Sequence, residues 1–72
     1  MADIKVRADY DPEAGVWVAQ SDDIGLVTEA DSVEALRAKI PLMVLDLLQT
    51  VEPGTRIYLT THSEEQLSVR AA

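Results

Sequence analysis

The sequence predicts one small α+β domain in which a single helix packs on an antiparallel sheet, in the order β-β-β-α-β. Three observations predict this fold. The chain has 72 residues, which is enough for only one hydrophobic core. Four short segments have the composition or the two-residue alternation of strands. One longer segment has the three- and four-residue spacing of apolar positions that is typical of an amphipathic helix.

The first three strands form a predicted meander. In residues 3–10, apolar and charged side chains alternate (Ile4, Val6, Ala8 and Tyr10 against Lys5, Arg7 and Asp9), as in a strand with one buried face. Turn-forming residues at 11–15 separate this strand from the second, Val16 to Ser21. A second acidic turn at 22–25 precedes the third strand, Leu26 to Glu29.

The helix is predicted to start at Asp31, which forms a capping-box spacing with Glu34, or at Ser32 as the alternative cap. Its apolar positions fall within about 140° of the helix wheel and are expected to pack on the sheet; they are Val33, Leu36, Ile40, Met43, Val44, Leu47 and Leu48. Pro41 lies inside this stripe and removes one backbone hydrogen bond, so we expect the helix to bend near residues 39–41.

A fourth strand is predicted after the Glu52-Pro53-Gly54 break, where Ile57, Leu59 and Thr61 alternate with polar or aromatic neighbours. In the tail, the apolar residues at 67 and 69 allow a short fifth strand. We therefore expect one domain over residues 1–72, with a core at about residues 3–61 and a polar tail at 62–72.

The sequence has no pattern of catalytic or metal-binding residues. It contains no cysteine and one histidine, His62, so neither disulfides nor a structural zinc cluster can form. Ser63 is adjacent to His62, and neighbouring side chains in a strand point apart, which excludes a catalytic dyad between them. We expect a protein that is not an enzyme, with no catalytic residue and no cofactor.

Four aspartates could converge to bind a hard cation if the first two strands pair: Asp9, Asp11, Asp22 and Asp23. Three of them lie in or beside turns, where aspartate has a local structural role. We therefore favour an acidic rim over a metal site.

Charge narrows the class of partner. Thirteen acidic residues against six basic ones give a net charge of −7, which disfavours nucleic acid and anionic lipid and favours a basic protein. The longest apolar window is too short to span a membrane. The amino terminus is charged within its first seven residues and does not resemble a signal peptide, so we expect a cytoplasmic protein.

Two apolar surfaces are expected to remain after the helix packs on the sheet. On the helix, Leu42 and Leu45 lie outside the main stripe and form an apolar strip with two alanines, a candidate interface for a homo-oligomer. On the sheet, Tyr58 is expected to face away from the helix. Trp17 either joins it there as an interface anchor or closes one end of the core.

The run from Val16 to Asp31 (VWVAQSDDIGLVTEAD), followed by Val-Glu-Ala-Leu at 33–36 and by Lys39, resembles a compact branch of the HicB-like family. The resemblance covers roughly residues 6–50. It implies a β-β-β-α-β antitoxin domain that binds and masks a small basic RNA-cleaving toxin. Two features depart from the family pattern: no basic helix follows the predicted one, so direct DNA binding is not expected, and Ile24 stands where the family turn has proline before glycine.

Two functional hypotheses follow. In the first, a non-catalytic, antitoxin-like module covers a basic toxin-like protein, either with Asp22, Asp23 and Glu29 or with the face carrying Trp17 and Tyr58. In the second, the domain is a freestanding homo-oligomer, with a ligand-binding role left open. The two are compatible, because a dimer can still bind a toxin.

Overall fold

The computed structural model describes residues 3–70 and has the predicted element order. Residues 1, 2, 71 and 72 of the predicted domain lie outside the described residues. The elements are β1 (Asp3–Asp11), β2 (Val16–Ser21), β3 (Leu26–Ala30), α1 (Val33–Leu48) and β4 (Arg56–His62). The predicted α+β fold, a single small domain with one helix on a four-stranded sheet, is confirmed.

The sheet is mixed, and here the structure differs from the antiparallel sheet that was expected. Its strand order is β3-β2-β1-β4, and β4 pairs with β1 in parallel, with Ile4 opposite Ile57 and Val6 opposite Leu59. The cause is the connection through α1. The helix returns the chain to the end of the sheet where β3 began, so β4 runs in the same direction as β3 and β1.

The core lies between α1 and one face of the sheet. Alternate residues of the strands point into it, as the two-residue period requires. The buried apolar side chains are Ile4, Val6, Ala8, Ala19, Leu26, Leu36, Ile40 and Val44. On β4, Ile57 and Leu59 face the same way but are only half-buried, because α1 packs mainly over β2 and β3.

Ser21 is a polar side chain in this apolar layer. Its hydroxyl is buried and has no hydrogen-bond partner among the described residues, and an unsatisfied buried hydroxyl destabilises a fold by about 1–3 kcal/mol.

We expect Ser21→Ala to raise the free energy of unfolding by about 1 kcal/mol, measured by urea denaturation. A decrease would contradict the assignment of an unsatisfied group.

The helix begins directly after one of the two predicted capping residues. Ser32, not Asp31, is the cap: its hydroxyl accepts a hydrogen bond from the backbone N–H of Ala35 at 3.1 Å. The helix then continues through Pro41 without a break. Pro41 is exposed, and because proline has no N–H it removes one backbone hydrogen bond from the helix.

The last turn of α1 is more exposed than predicted. Leu36, Ile40 and Val44 are buried and Val33 and Met43 are half-buried, but Leu47 and Leu48 remain 48% and 36% exposed. These two leucines are exposed because α1 is longer than the strand beneath it. A helix of 16 residues is about 24 Å long, whereas the five residues of β3 span about 17 Å. The end of the helix therefore extends beyond β3, the strand that it contacts most.

Residues 63–70 follow β4 as an extended segment without secondary structure. The fifth strand that the alternation allowed at residues 67–69 does not form, and Leu67 and Val69 are 77% and 96% exposed. No helix within residues 3–70 has the length and hydropathy to cross a membrane.

Candidate protein-binding site

One end of the sheet carries most of the negative charge, and we call it the acidic end. Pairing places Tyr10 opposite Trp17, Trp17 opposite Ala30 and Asp9 opposite His62. The end of β1, the β1–β2 turn, the end of β3, the start of α1 and the start of the tail therefore meet there. These segments contain eight of the chain's 13 acidic residues: Asp9, Asp11, Glu13, Glu29, Asp31, Glu34, Glu64 and Glu65.

Little of this charge is neutralised within residues 3–70. Arg7 forms an ion pair with Asp9 at 3.1 Å, Nε to Oδ2. The Asp11 carboxylate accepts hydrogen bonds from the backbone N–H groups of Glu13 and Ala14, at 3.0 and 3.3 Å, and so holds the turn. The remaining six carboxylates make no ion pair in the described part of the chain. Their charges are free to attract a cation.

Two aromatic rings lie at the centre of the acidic end. The ring centroids of Tyr10 and Trp17 are 5.3 Å apart and their planes are inclined by 57°, a tilted arrangement that is favourable for aromatic pairs. With Pro12 and residues 63–66 they line an open cavity, which we call the aromatic cleft. The tail thus forms one wall of the cleft and contributes Glu64 and Glu65.

Trp17 contacts both the core and the cleft, and its role as an interface anchor stays a prediction. It is half-buried and packs against the hydrophobic core, and it also lines the aromatic cleft. Tyr10 is 38% exposed. Aromatic faces beside carboxylates are an environment that favours a guanidinium or ammonium group, through cation–π attraction and charge-assisted hydrogen bonds.

The other predicted partner-binding residues lie apart from this cleft. Glu29 is at the acidic end, on the sheet face away from the helix. Asp22 and Asp23 lie at the opposite end, in the β2–β3 turn, where the Asp23 carboxylate accepts a hydrogen bond from the backbone N–H of Lys5 at 3.2 Å. The predicted set is therefore divided between the two ends of the domain.

Tyr58 does not join Trp17. Tyr58 lies opposite Lys5 on the sheet face away from the helix, whereas Trp17 lies on the helix side. The Arg56 guanidinium lies over the Tyr58 ring, 5.7 Å from its centroid. Because Lys5 and Arg56 already place two positive charges beside this ring, Tyr58 is poorly placed to bind a basic partner.

The four aspartates considered for a metal site are also separated. Asp9 and Asp11 lie at the acidic end, and the other two lie in the β2–β3 turn. Within residues 3–70, no group of three or more histidine, aspartate or glutamate side chains is arranged to hold a metal ion.

The predicted apolar strip on the helix is exposed to solvent. Leu42 is 65% and Leu45 is 52% exposed, on the side of α1 that faces away from the sheet. This surface is separate from the acidic end and from the aromatic cleft.

Comparisons with known proteins give a family but no function. The crystal structure of a hypothetical protein, TTHA1013, from the extremely thermophilic bacterium Thermus thermophilus is similar: the two chains are 42% identical, the match covers 93% of this chain and 99% of that one, and the TM-score is 0.67. No curated protein matches. The resemblance to the HicB-like family stays a prediction. A family model described as a domain of unknown function, DUF1902, matches residues 3–70, and the chain therefore belongs to the DUF1902 family.

Proposed function

We propose that this domain is a non-catalytic binding module that covers a small basic, RNA-cleaving protein, in the manner of a HicB-type antitoxin. The observation that carries the proposal is the acidic end, where eight of the 13 acidic residues lie at the same end of the sheet as the Tyr10–Trp17 pair. The resemblance of residues 6–50 to the HicB-like family supplies the identity of the partner class.

The aromatic cleft is the proposed anchor point. Arginine and aromatic residues are enriched among the residues that dominate binding energy at interfaces. An arginine or lysine of the partner would lie against the Tyr10 and Trp17 rings, with its charge directed at Glu64 and Glu65. The surrounding carboxylates would steer the partner towards the cleft and would make association faster at low salt.

Capture from the protein's own cells tests this proposal. The tagged full chain is exposed to lysate at low salt, and bound protein is released with about 0.5 M salt, where charge interactions are screened within a few ångströms. We expect a small basic protein that cleaves RNA and whose cleavage stops when the chain is added back in equal amount. Failure to recover such a protein, or cleavage that continues unchanged with the chain present, would contradict the proposal.

The alternative role, a freestanding homo-oligomer, is favoured by a different observation, the exposure of Leu42 and Leu45. Self-association would not compete with the proposed partner for the same surface, because Leu42 and Leu45 lie on the outer side of α1 and the partner binds the acidic end. Self-association alone is what the capture experiment would find if no basic partner exists.

A further inference from the structure

The outer side of α1 has the spacing of a helix-pairing seam. Ala35, Ala38, Leu42 and Leu45 are separated by three, four and three residues, which is the a/d spacing of a coiled coil. All four are exposed. The inward positions of α1 are apolar as well, so the helix is apolar on two opposite sides. A helix of this kind is normally buried on both sides, but the sheet covers only one.

The two flanks of this seam differ in polarity. One flank carries Lys39 and Asp46, seven residues apart and therefore aligned along the helix. The other flank carries Glu34, Pro41 and Leu48. Asp46 makes no ion pair within residues 3–70, and the Lys39 ammonium donates only to an uncharged acceptor, the backbone carbonyl of Glu29, at 2.8 Å. Both charges are available to an opposite charge.

These flanks determine how a second copy would fit. When two helices pair about a two-fold axis in an antiparallel orientation, each flank meets the same flank of the partner, running in reverse. Lys39 of one copy then lies towards Asp46 of the other, twice by symmetry, so that both charges of this flank are compensated. In a parallel pair Lys39 would face Glu34 of the other copy, but Asp46 would face Pro41, which would desolvate its charge without compensation.

The overall charge distribution favours the same orientation. The acidic end includes the start of α1, so a parallel pair would bring two acidic ends together. An antiparallel pair separates them by about the length of the helix, roughly 24 Å, which exceeds the Debye length of about 8 Å at physiological salt.

We propose that the domain forms an isologous dimer in which α1 packs antiparallel against α1 of a second copy through Leu42 and Leu45. The dimer has four layers, sheet-helix-helix-sheet, and presents two acidic ends facing in opposite directions. This inference goes beyond the proposed function and does not depend on it, since the seam and the acidic end share no residue.

Light scattering during size exclusion of the full chain tests the dimer. At about 100 µM, wild-type protein is expected at twice the 7.9 kDa chain mass, and Leu42→Glu/Leu45→Glu at the chain mass, because charge in a small apolar interface abolishes pairing. The matched control is Leu67→Glu/Val69→Glu, which changes equally exposed apolar residues in the tail and is expected to stay dimeric. A monomeric wild type, a dimeric helix variant or a monomeric tail variant would overturn the proposal.

A charge swap tests the antiparallel orientation. Asp46→Lys should raise the dimer dissociation constant about 10-fold, because it places two lysines together at both symmetric contacts. Adding Lys39→Glu to Asp46→Lys restores opposite charges and should return the constant to within about threefold of wild type. Both measurements use sedimentation equilibrium. If Asp46→Lys has no effect, or if the second substitution does not restore pairing, the antiparallel arrangement is wrong.

Discussion

Leu36→Ala is expected to leave the domain largely unfolded at 37 °C. Leu36 is fully buried, at 0% exposure, and it faces the sheet near the middle of the core. Removing a buried leucine costs about 2–5 kcal/mol in lost burial and cavity formation. A single core of this size rarely supplies more than about 3–5 kcal/mol, so the substitution removes most of the stability. Circular dichroism during thermal unfolding measures the effect.

The matched control for this prediction is Leu67→Ala. It removes the same atoms from a leucine that is 77% exposed, and we expect it to change the free energy of unfolding by less than about 0.5 kcal/mol. If the two variants melt at the same temperature, the helix–sheet core described above does not carry the stability of the domain.

Reversing two charges in the aromatic cleft is expected to weaken partner binding about 100-fold. Glu64→Lys/Glu65→Lys places positive charge where the proposed basic partner directs its own, and like charges brought together at an interface cost several kcal/mol. A 100-fold change corresponds to about 2.7 kcal/mol. Isothermal titration with the captured basic protein measures the dissociation constant.

The opposite end of the domain offers a control with the same change in net charge. Asp22→Lys/Asp23→Lys alters an adjacent acidic pair in the β2–β3 turn, and we expect less than about a fivefold weakening, from long-range attraction alone. An equal loss in both variants would mean that binding follows net charge and not position. A larger loss at the β2–β3 turn would move the binding site to that end.

The fold was predictable because local patterns determine most of it. Alternation marks β1, and the apolar stripe around Leu36 marks α1. The direction of β4 could not be predicted, because alternation shows which face of a strand is buried but not which strand it pairs with. The path through α1 sets that neighbour. The exposure of Leu47 was missed for a related reason: periodicity gives the phase of a helix but not the length of the sheet beneath it.

The candidate site was predictable only in part. Trp17 and Glu29 lie at the acidic end, but Asp22 and Asp23 do not, since successive hairpin turns lie at opposite ends of a sheet. Tyr10 was missed as a site residue although it shares the phase of Ala8. Its position opposite Trp17 required the register of β1 and β2.

Glu64 and Glu65 were also missed. They reach the cleft because β4 lies beside β1 and ends level with Asp9, and the tail then passes Tyr10. That path depends on the parallel pairing, which the sequence pattern did not indicate.

Trp17 is the chain's only tryptophan, so it permits a direct test of the binding site. Incorporation of 5-fluorotryptophan gives a single ¹⁹F NMR signal from the aromatic cleft, which is followed as the unlabelled basic partner is added. We predict a saturable shift that yields the same dissociation constant as calorimetry and that is reversed by high salt. Calorimetric binding with an unchanged ¹⁹F signal would place the partner elsewhere and would contradict the assignment of the acidic end as the binding site.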